Sequence, residues 1–459
     1  MRNTRSHGVA TRLVAGIAAA GLLAACGGGD SGGGSSQDTD LAGVTDEELK
    51  GTTIKLARFF GDCEDTTEGV TDVAKATSEC ETIQILTNAF NEENEHGITV
   101  ERLGGAEWDS YYDTLNAAYA GGDPPDVAVM HGSSLTDYTE RNLLVELDDH
   151  LELTGADIDD AAETAREAVT YEGRTYGLPF DLHAALVHQN VDLFKQAGLV
   201  DDDGKPMIPT SAEEFLEHAK QMKDKTGKNY FGAARVNDGL GVHMWRSLVE
   251  QQGASVLSED GKTANIDTPE ARTALDFMDQ VFGEYADPDQ TYDAADQAFR
   301  KGETAMLFNG TWVVDQYDKE MPFTYQVADF PTLYDQPAIW ADSHTWVIPK
   351  QKDGDAASYR AALEFVSYLY EHSGDWAVHT GHLAARTSVL ESEEYQSAPQ
   401  RANYFETGTT NAKHVPHISK WTAAHDAMVS GISSIWFEDT SPDEALADTN
   451  TQVENVLSD

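Results

Sequence analysis

The chain has 459 residues, with 80 acidic against 31 basic side chains and a formal charge of −49 at pH 7. That balance excludes nucleic acid and anionic lipid as electrostatic partners, since both would repel it. The length exceeds what one hydrophobic core usually serves, so two lobes are expected.

Arg2, Arg5 and Arg12 precede an apolar run, Leu13–Ala25. The run is too short to cross a bilayer, which takes about 20 helical residues, but it suits the apolar region of a secretory signal. Leu23-Ala24-Ala25-Cys26 resembles the lipobox of bacterial lipoprotein signals. By that resemblance residues 1–25 are removed, and Cys26 becomes a lipidated N-terminus at the outer face of the cytoplasmic membrane. Residues 26–50, rich in Gly, Ser and Asp, read as a flexible tether with a reach of about 25–30 Å.

Beyond the tether, Thr53–Phe60 reads as a buried strand, Glu81–Asn91 as a helix, Ile98–Leu103 as a strand, Ser110–Ala120 as a helix and Asp126–Met130 as a strand. This alternation predicts a parallel sheet covered by helices. Ser211 with Glu214 forms a candidate capping box, and Thr268-Pro269-Glu270 a helix start. Cys63 and Cys80 are an even pair in an oxidising compartment, and a disulfide between them would contribute about 3 kcal/mol.

Phosphate loops, zinc-protease helices and nucleophile elbows are absent from the sequence. His379-x-x-His382 and His414-x-x-His417 have no acidic or cysteine partner nearby in the chain, so they read as surface or core histidines, and neither a metal nor a cofactor is expected. Tyr111-Tyr112, on an amphipathic helix, reads as packing.

The segment DQAFRKGETAMLFNGTW, Asp296–Trp312, resembles the helix, strand and glycine-tryptophan signature of the extracellular solute-binding proteins of family 1, the maltose-binding type that serves ATP-driven sugar importers. PPDVAVMHG (Pro124–Gly132), YGLPFDLHAALVHQNVDLFKQAGL (Tyr176–Leu199), HTWVIPK (His344–Lys350), ALEFVSYL (Ala362–Leu369) and GHLAARTSVL (Gly381–Leu390) follow the same family's order. The resemblance implies the two-lobed α/β fold of type II periplasmic binding proteins, with discontinuous lobes joined by a hinge. The lobes are expected at 51–181 plus 343–378 and at 182–342 plus 379–459. It also implies a monomeric, non-enzymatic receptor whose partners are a sugar and the permease subunits of an importer.

In open α/β sheets ligands gather beyond the strand ends. Strand ends and crossovers nominate Asp62, Glu107, His131, Asp181 and His183 from the first half and Asn309, Trp312, Trp340 and Asp342 from the second, and the family resemblance adds Trp245 and Trp421, whose flanks GVHMWRS and HISKWTA depart from the family's usual spacing. A sugar offers flat C–H faces that lie on indoles and a rim of hydroxyls that needs fixed acceptors and donors. The family places a stacking aromatic at the position matched by Trp312. Trp346 and Trp376 read as core. Asp62, Asp181 and Asp342 fit ligand contact and helix capping equally well. Two alternatives stay open: a secreted carbohydrate-active enzyme, and the same fold holding a non-sugar such as a glycerol phosphodiester or a polyamine.

Overall fold

The computed structural model of the chain describes residues 41–458, except 105–107, 236–237, 259, 288–290 and 439 and the side chains of 109 and 409. The signal segment, Cys26, the first part of the tether and Glu107 lie outside the described residues. The second part of the tether departs from expectation. Leu41 and Leu49 are buried in the first core, and a short helix, Asp46–Leu49, carries a reciprocal capping box between Thr45 and Glu48. Folded structure is therefore present from residue 41 rather than 51, because two leucines among polar neighbours suffice to dock the segment.

Twelve strands build two main sheets. They are β1 Thr53–Ala57, β2 Thr99–Arg102, β3 Val127–His131, β4 Gly177–Pro179, β5 Asp181–Asn190, β6 Asn229–Ala233, β7 Thr304–Gly310, β8 Tyr325–Ala328, β9 Ile339–Asp342, β10 His344–Val347, β11 Leu383–Ala384 and β12 Ala412–His414. The first sheet runs in the order β2-β1-β3-β10-β4. Its β1, β2 and β3 are parallel, as the strand-helix alternation predicts, whereas β10 is antiparallel to both β3 and β4. The second sheet runs β12-β9-β5-β7-β6, with β8 and β11 also pairing with β5. Long β5 is antiparallel to four neighbours, so a purely parallel reading fails here. The chain re-enters each sheet from the other one, and such a strand need not share the direction of those joined by helical crossovers.

Each sheet has its own core. In the first, Ile54, Leu56, Val127 and Val129 pack with Ile83, Leu86 and Phe90 of helix Glu79–Glu93 and with Leu363 and Val366 of helix Ala356–Glu371. The second joins Phe231, Met306 and Phe308 to Phe215, Trp245, Phe277 and Met278. Helix starts agree with the sequence. Ser211 accepts from the Glu214 amide, although Glu214 reaches back to Thr210 instead of Ser211, and Thr268 accepts from Ala271 ahead of Pro269. Cys63 and Cys80 form a disulfide.

The chain passes between the sheets three times, from β4 to β5, from β9 to β10 and from β10 to β11, and the first two passages lie side by side. One residue, Phe180, separates β4 from β5, and one residue, Ser343, separates β9 from β10. Register places Asp342 opposite His183 and His344 opposite His131. Sheet geometry thus delivers four ionisable side chains to one locality.

Candidate functional site

The strand expected over Thr53–Phe60 ends at Ala57, and the last two residues of that run turn to a different task. Phe59 lies parallel to the His131 ring at 5.1 Å, and Phe60 packs against Trp376 at 4.9 Å. They form an apolar floor under the crossovers. Arg58 is buried beside them, donating to the Gly61 carbonyl and to Gln84, and burial pushes its guanidinium down to about 9.

Asp181 is the centre of the site and is 0% exposed. Its Oδ1 accepts from His183 Nδ1 at 3.0 Å and from the His344 amide at 3.1 Å, while Oδ2 accepts from His344 Nδ1 at 2.8 Å and from Trp376 Nε1 at 2.7 Å. Burial alone would raise its pKa, but nearby His344 and His382 and the imidazole hydrogen bonds hold it well below the usual carboxylate range. His344 responds in the opposite sense: burial would lower it, yet contact with Asp181 raises it. Burial and the neighbouring His344 push His183 down to about 4, and the same causes lower His131. Asp342 accepts at Oδ1 from the Ser133 and Ser343 amides, so it caps the start of helix Gly132–Glu140 as well as facing His183. Asp342 thus combines a helix-start contact with a place opposite His183, whereas Asp181 accepts only from a strand amide and side chains and caps no helix among the described residues.

His131 Nδ1 meets the Tyr112 hydroxyl at 2.7 Å, and that hydroxyl also accepts from the His131 amide. Tyr112 therefore belongs to the site rather than serving as packing alone, whereas Tyr111 is core and donates to the Val129 carbonyl. His382 Nε2 contacts Glu79 Oε1 at 2.8 Å and its Nδ1 contacts Thr311. This corrects the reading of His382 as having no acidic partner: Glu79 lies 303 residues away in sequence, beyond any local pattern. The same contact, with Lys319 donating to the Ala76 carbonyl, ties the second half of the chain to the first.

Above the crossovers an aromatic ribbon runs along the second sheet. His243 stacks on Trp340 at 3.8 Å, His425 on His243 at 4.9 Å, and Trp421 follows at 5.7 Å with Arg246 over its ring. Three ring nitrogens here, Trp340 Nε1, His243 Nδ1 and His425 Nε2, are buried without a hydrogen-bond partner among the described residues. Trp312 stands edge-on to Trp340 and His183 and donates to the Tyr292 hydroxyl at 2.9 Å. Its ring folds back over Gly310, where an added Cβ would fall 1.8 Å from the indole, so only glycine admits this placement.

Three nominated residues stand elsewhere. Trp245 is 0% exposed in the second core, its Nε1 donating to the Ala271 carbonyl, and is not a ligand platform. Asp62 pairs with Arg102 away from the cluster, with 57% of its side chain exposed. Asn309 turns inward, donating to Tyr292 and accepting from the Gly310 amide, and so shapes the turn under Trp312. Sequence reading also passes over His243, His344, Glu79 and His425, whereas the segment after the second strand, Glu107–Asp109, is nominated and contains Trp108. Trp108 is 54% exposed and packs edge-on against Phe59 and His131. A usable signal existed for His344, which directly follows the Asp342 crossover.

The arrangement combines apolar ring faces with buried acceptors and donors at the junction of two sheets. One ring nitrogen from each of His131, His183 and His344 lies within 4.8 Å of the others, as do ligand atoms of Glu79, His344 and His382 and of Asp181, His183 and His382.

The model of the bacterial extracellular solute-binding proteins matches residues 86–403, and the chain belongs to that family, whose members work outside the cytoplasm. A binding protein of Brucella abortus is 23% identical over 380 residues, covering 81% of this chain and 89% of its own. The maltotriose-binding protein of Pyrococcus abyssi is 21% identical, covering 62% and 60%. Among solved structures, the substrate-binding protein Lmo0181 of Listeria monocytogenes, in complex with cycloalternan, superposes with a TM-score of 0.73 at 21% identity, covering 89% of this chain and 99% of that one. UgpB of Mycobacterium tuberculosis, in complex with glycerophosphocholine, gives 0.73 at 18%, covering 88% and 98%. The fold is thus that of the type II binding proteins. No helix among the described residues is long and apolar enough to cross a membrane.

Proposed function

We propose that the protein is a lipid-anchored, monomeric and non-enzymatic receptor that closes on a sugar between its lobes and hands it to an ATP-driven importer. The lobes are residues 51–181 with 343–378, preceded by the docked segment from 41, and residues 182–342 with 379–459. The observation that carries the sugar reading is the aromatic ribbon with its unpaired ring nitrogens. Buried polar atoms without partners are rare in folded proteins, and hydroxyls on a flat ligand would satisfy them while its C–H faces cover the rings. The maltotriose and cycloalternan bound by the relatives named above support the same class.

A thermal-shift panel of mono- and oligosaccharides tests the reading. A ligand at 100 times its Kd adds about 2.7 kcal/mol to stability. A shift with a sugar that is recovered intact supports the receptor. Turnover of that sugar would sink the non-enzymatic reading, and a shift with glycerophosphocholine alone would replace the sugar by a phosphodiester. Cys26→Ser should release the chain from membranes, and full retention would remove the lipid anchor.

A further inference from the structure

Of the three ligand-capable groups at the crossovers, two have already spent their atoms. Asp181 accepts from four donors, and both nitrogens of His382 are engaged, Nε2 by Glu79 and Nδ1 by Thr311. His131, His183 and His344 differ. In each, Nδ1 is held by an oxygen, that of Tyr112 for His131 and those of Asp181 for the other two. The Nε2 atoms have no hydrogen-bond partner among the described residues. This is the arrangement of metal-ligating histidines, whose second nitrogen is oriented by a carboxylate or hydroxyl behind it. The rings are already gathered, with centroids 4.2 Å apart for His183 and His344, 5.0 Å for His131 and His344, and 5.6 Å for His131 and His183.

Charge supplies a second, separate observation. Asp181 and Asp342 are both buried, and among the described residues neither has a Lys or Arg ion-pair partner. Two buried carboxylates without a permanent cation are costly, and a divalent ion beside them restores the balance.

We propose that His131, His183 and His344 form a divalent transition-metal site of the zinc class at the crossovers, with Asp181 and Tyr112 holding the rings from behind through their Nδ1 atoms. Three imidazoles suit zinc and leave a fourth tetrahedral position for water or a ligand hydroxyl. Zinc–nitrogen bonds are about 2.0–2.1 Å, and one ring nitrogen from each of the three histidines already lies within 4.8 Å of the others. His131 and His344 belong to the first sheet and His183 to the second, so the ion bridges the two bodies beside their connections. The site goes beyond the sugar reading and does not rest on it.

The untagged exported chain, stripped with a chelator, is titrated with Zn2+ alone. One equivalent should bind and raise the melting temperature. His183→Gln and His344→Gln should each weaken that binding by about 100-fold or more, while exposed His417→Gln leaves it unchanged. Binding well below one equivalent, or undiminished in both variants, overturns the site. If the variants do not fold, Co2+ in the unaltered chain decides: intense visible absorption marks a four-coordinate site, and a pale six-coordinate spectrum refutes it. Running the sugar panel on the same metal-free chain keeps failure of this site separate from failure of the sugar reading.

Discussion

The crossovers between the sheets and the helix Gly239–Gln251 both carry residues nominated from sequence, and the two regions treat them differently. At strand ends, Asp181 hydrogen-bonds His183, His183 meets His131 ring to ring, and Asp342 stands opposite His183 in the ladder. Trp245, on the helix, is buried in the second core, while His243, two residues earlier on that helix, joins the ribbon. Strand ends are positioned by ladder register, which fixes where a side chain projects once the sheet order is set. A helix turns about 100° per residue, so an error of one or two positions moves a side chain from cleft to core.

Truncating Trp245 gives the sharpest break between the regions. Trp245→Ala should lower folding stability by about 3–5 kcal/mol, as large-to-small core changes do. Urea unfolding measures it. An undestabilised variant with weakened ligand binding would return Trp245 to the site and erase the contrast. Removing the disulfide with Cys63→Ser and Cys80→Ser together should cost about 3 kcal/mol, all of it in the first region, because the bridge fixes the start of helix Glu79–Glu93 and hence Glu79 against His382. Equal stability of the doubly substituted chain would count against that role.

How much was legible follows the same division. The β1–β3 pattern, the helix starts, the cysteine pairing and the strand-end nominations depend on local alternation, capping chemistry and chain order, all of which a sequence displays. The antiparallel entries of β5 and β10 depend on which body the chain re-enters, which local periodicity does not encode. Glu79 and His382 meet only through the tertiary fold. Arg58, Phe59 and Phe60 extend a strand-like run past Ala57, and only the structure shows them leaving the ladder to support the histidines.

A finer contrast lies within β5 itself, between His183 at the crossover and His188 in mid-strand. His188 contacts the Tyr325 hydroxyl at 2.8 Å through Nδ1 and the Gly310 carbonyl at 3.1 Å through Nε2, and burial pushes its pKa down to about 3. The unfolded chain binds a proton at this residue below about pH 6.5 and the folded chain does not until about pH 3. Stability from this group is therefore present above pH 6.5 and is lost as the pH falls through that interval, by at most about 1.4 kcal/mol per pH unit. In denaturant titrations between pH 7 and pH 5, His188→Gln should show a shallower decline than the unaltered chain. Parallel curves would mean that His188 is not the group responsible.

Trp312 sits between the two regions, and its truncation should give the smallest effect on the fold. Its indole is partly exposed, leans on Gly310, donates to Tyr292 and stands edge-on to His183 of the crossover and Trp340 of the ribbon. Trp312→Ala forfeits one hydrogen bond, worth about 0.5–1.5 kcal/mol, and part of a packing contact, less than a fully buried tryptophan would lose. If the ring bears on the ligand, the variant also loses an aromatic face worth about 0.5–1.5 kcal/mol beyond its area, and sugar affinity should fall more than tenfold. The melting temperature of the ligand-free chain and the sugar affinity are measured on the same preparation. A modest drop in melting with a large drop in affinity assigns Trp312 to the ligand wall with Trp340. A drop in melting as large as that of Trp245→Ala with unchanged affinity assigns it to the core, and the ribbon from Trp340 to Trp421 would then carry the sugar alone.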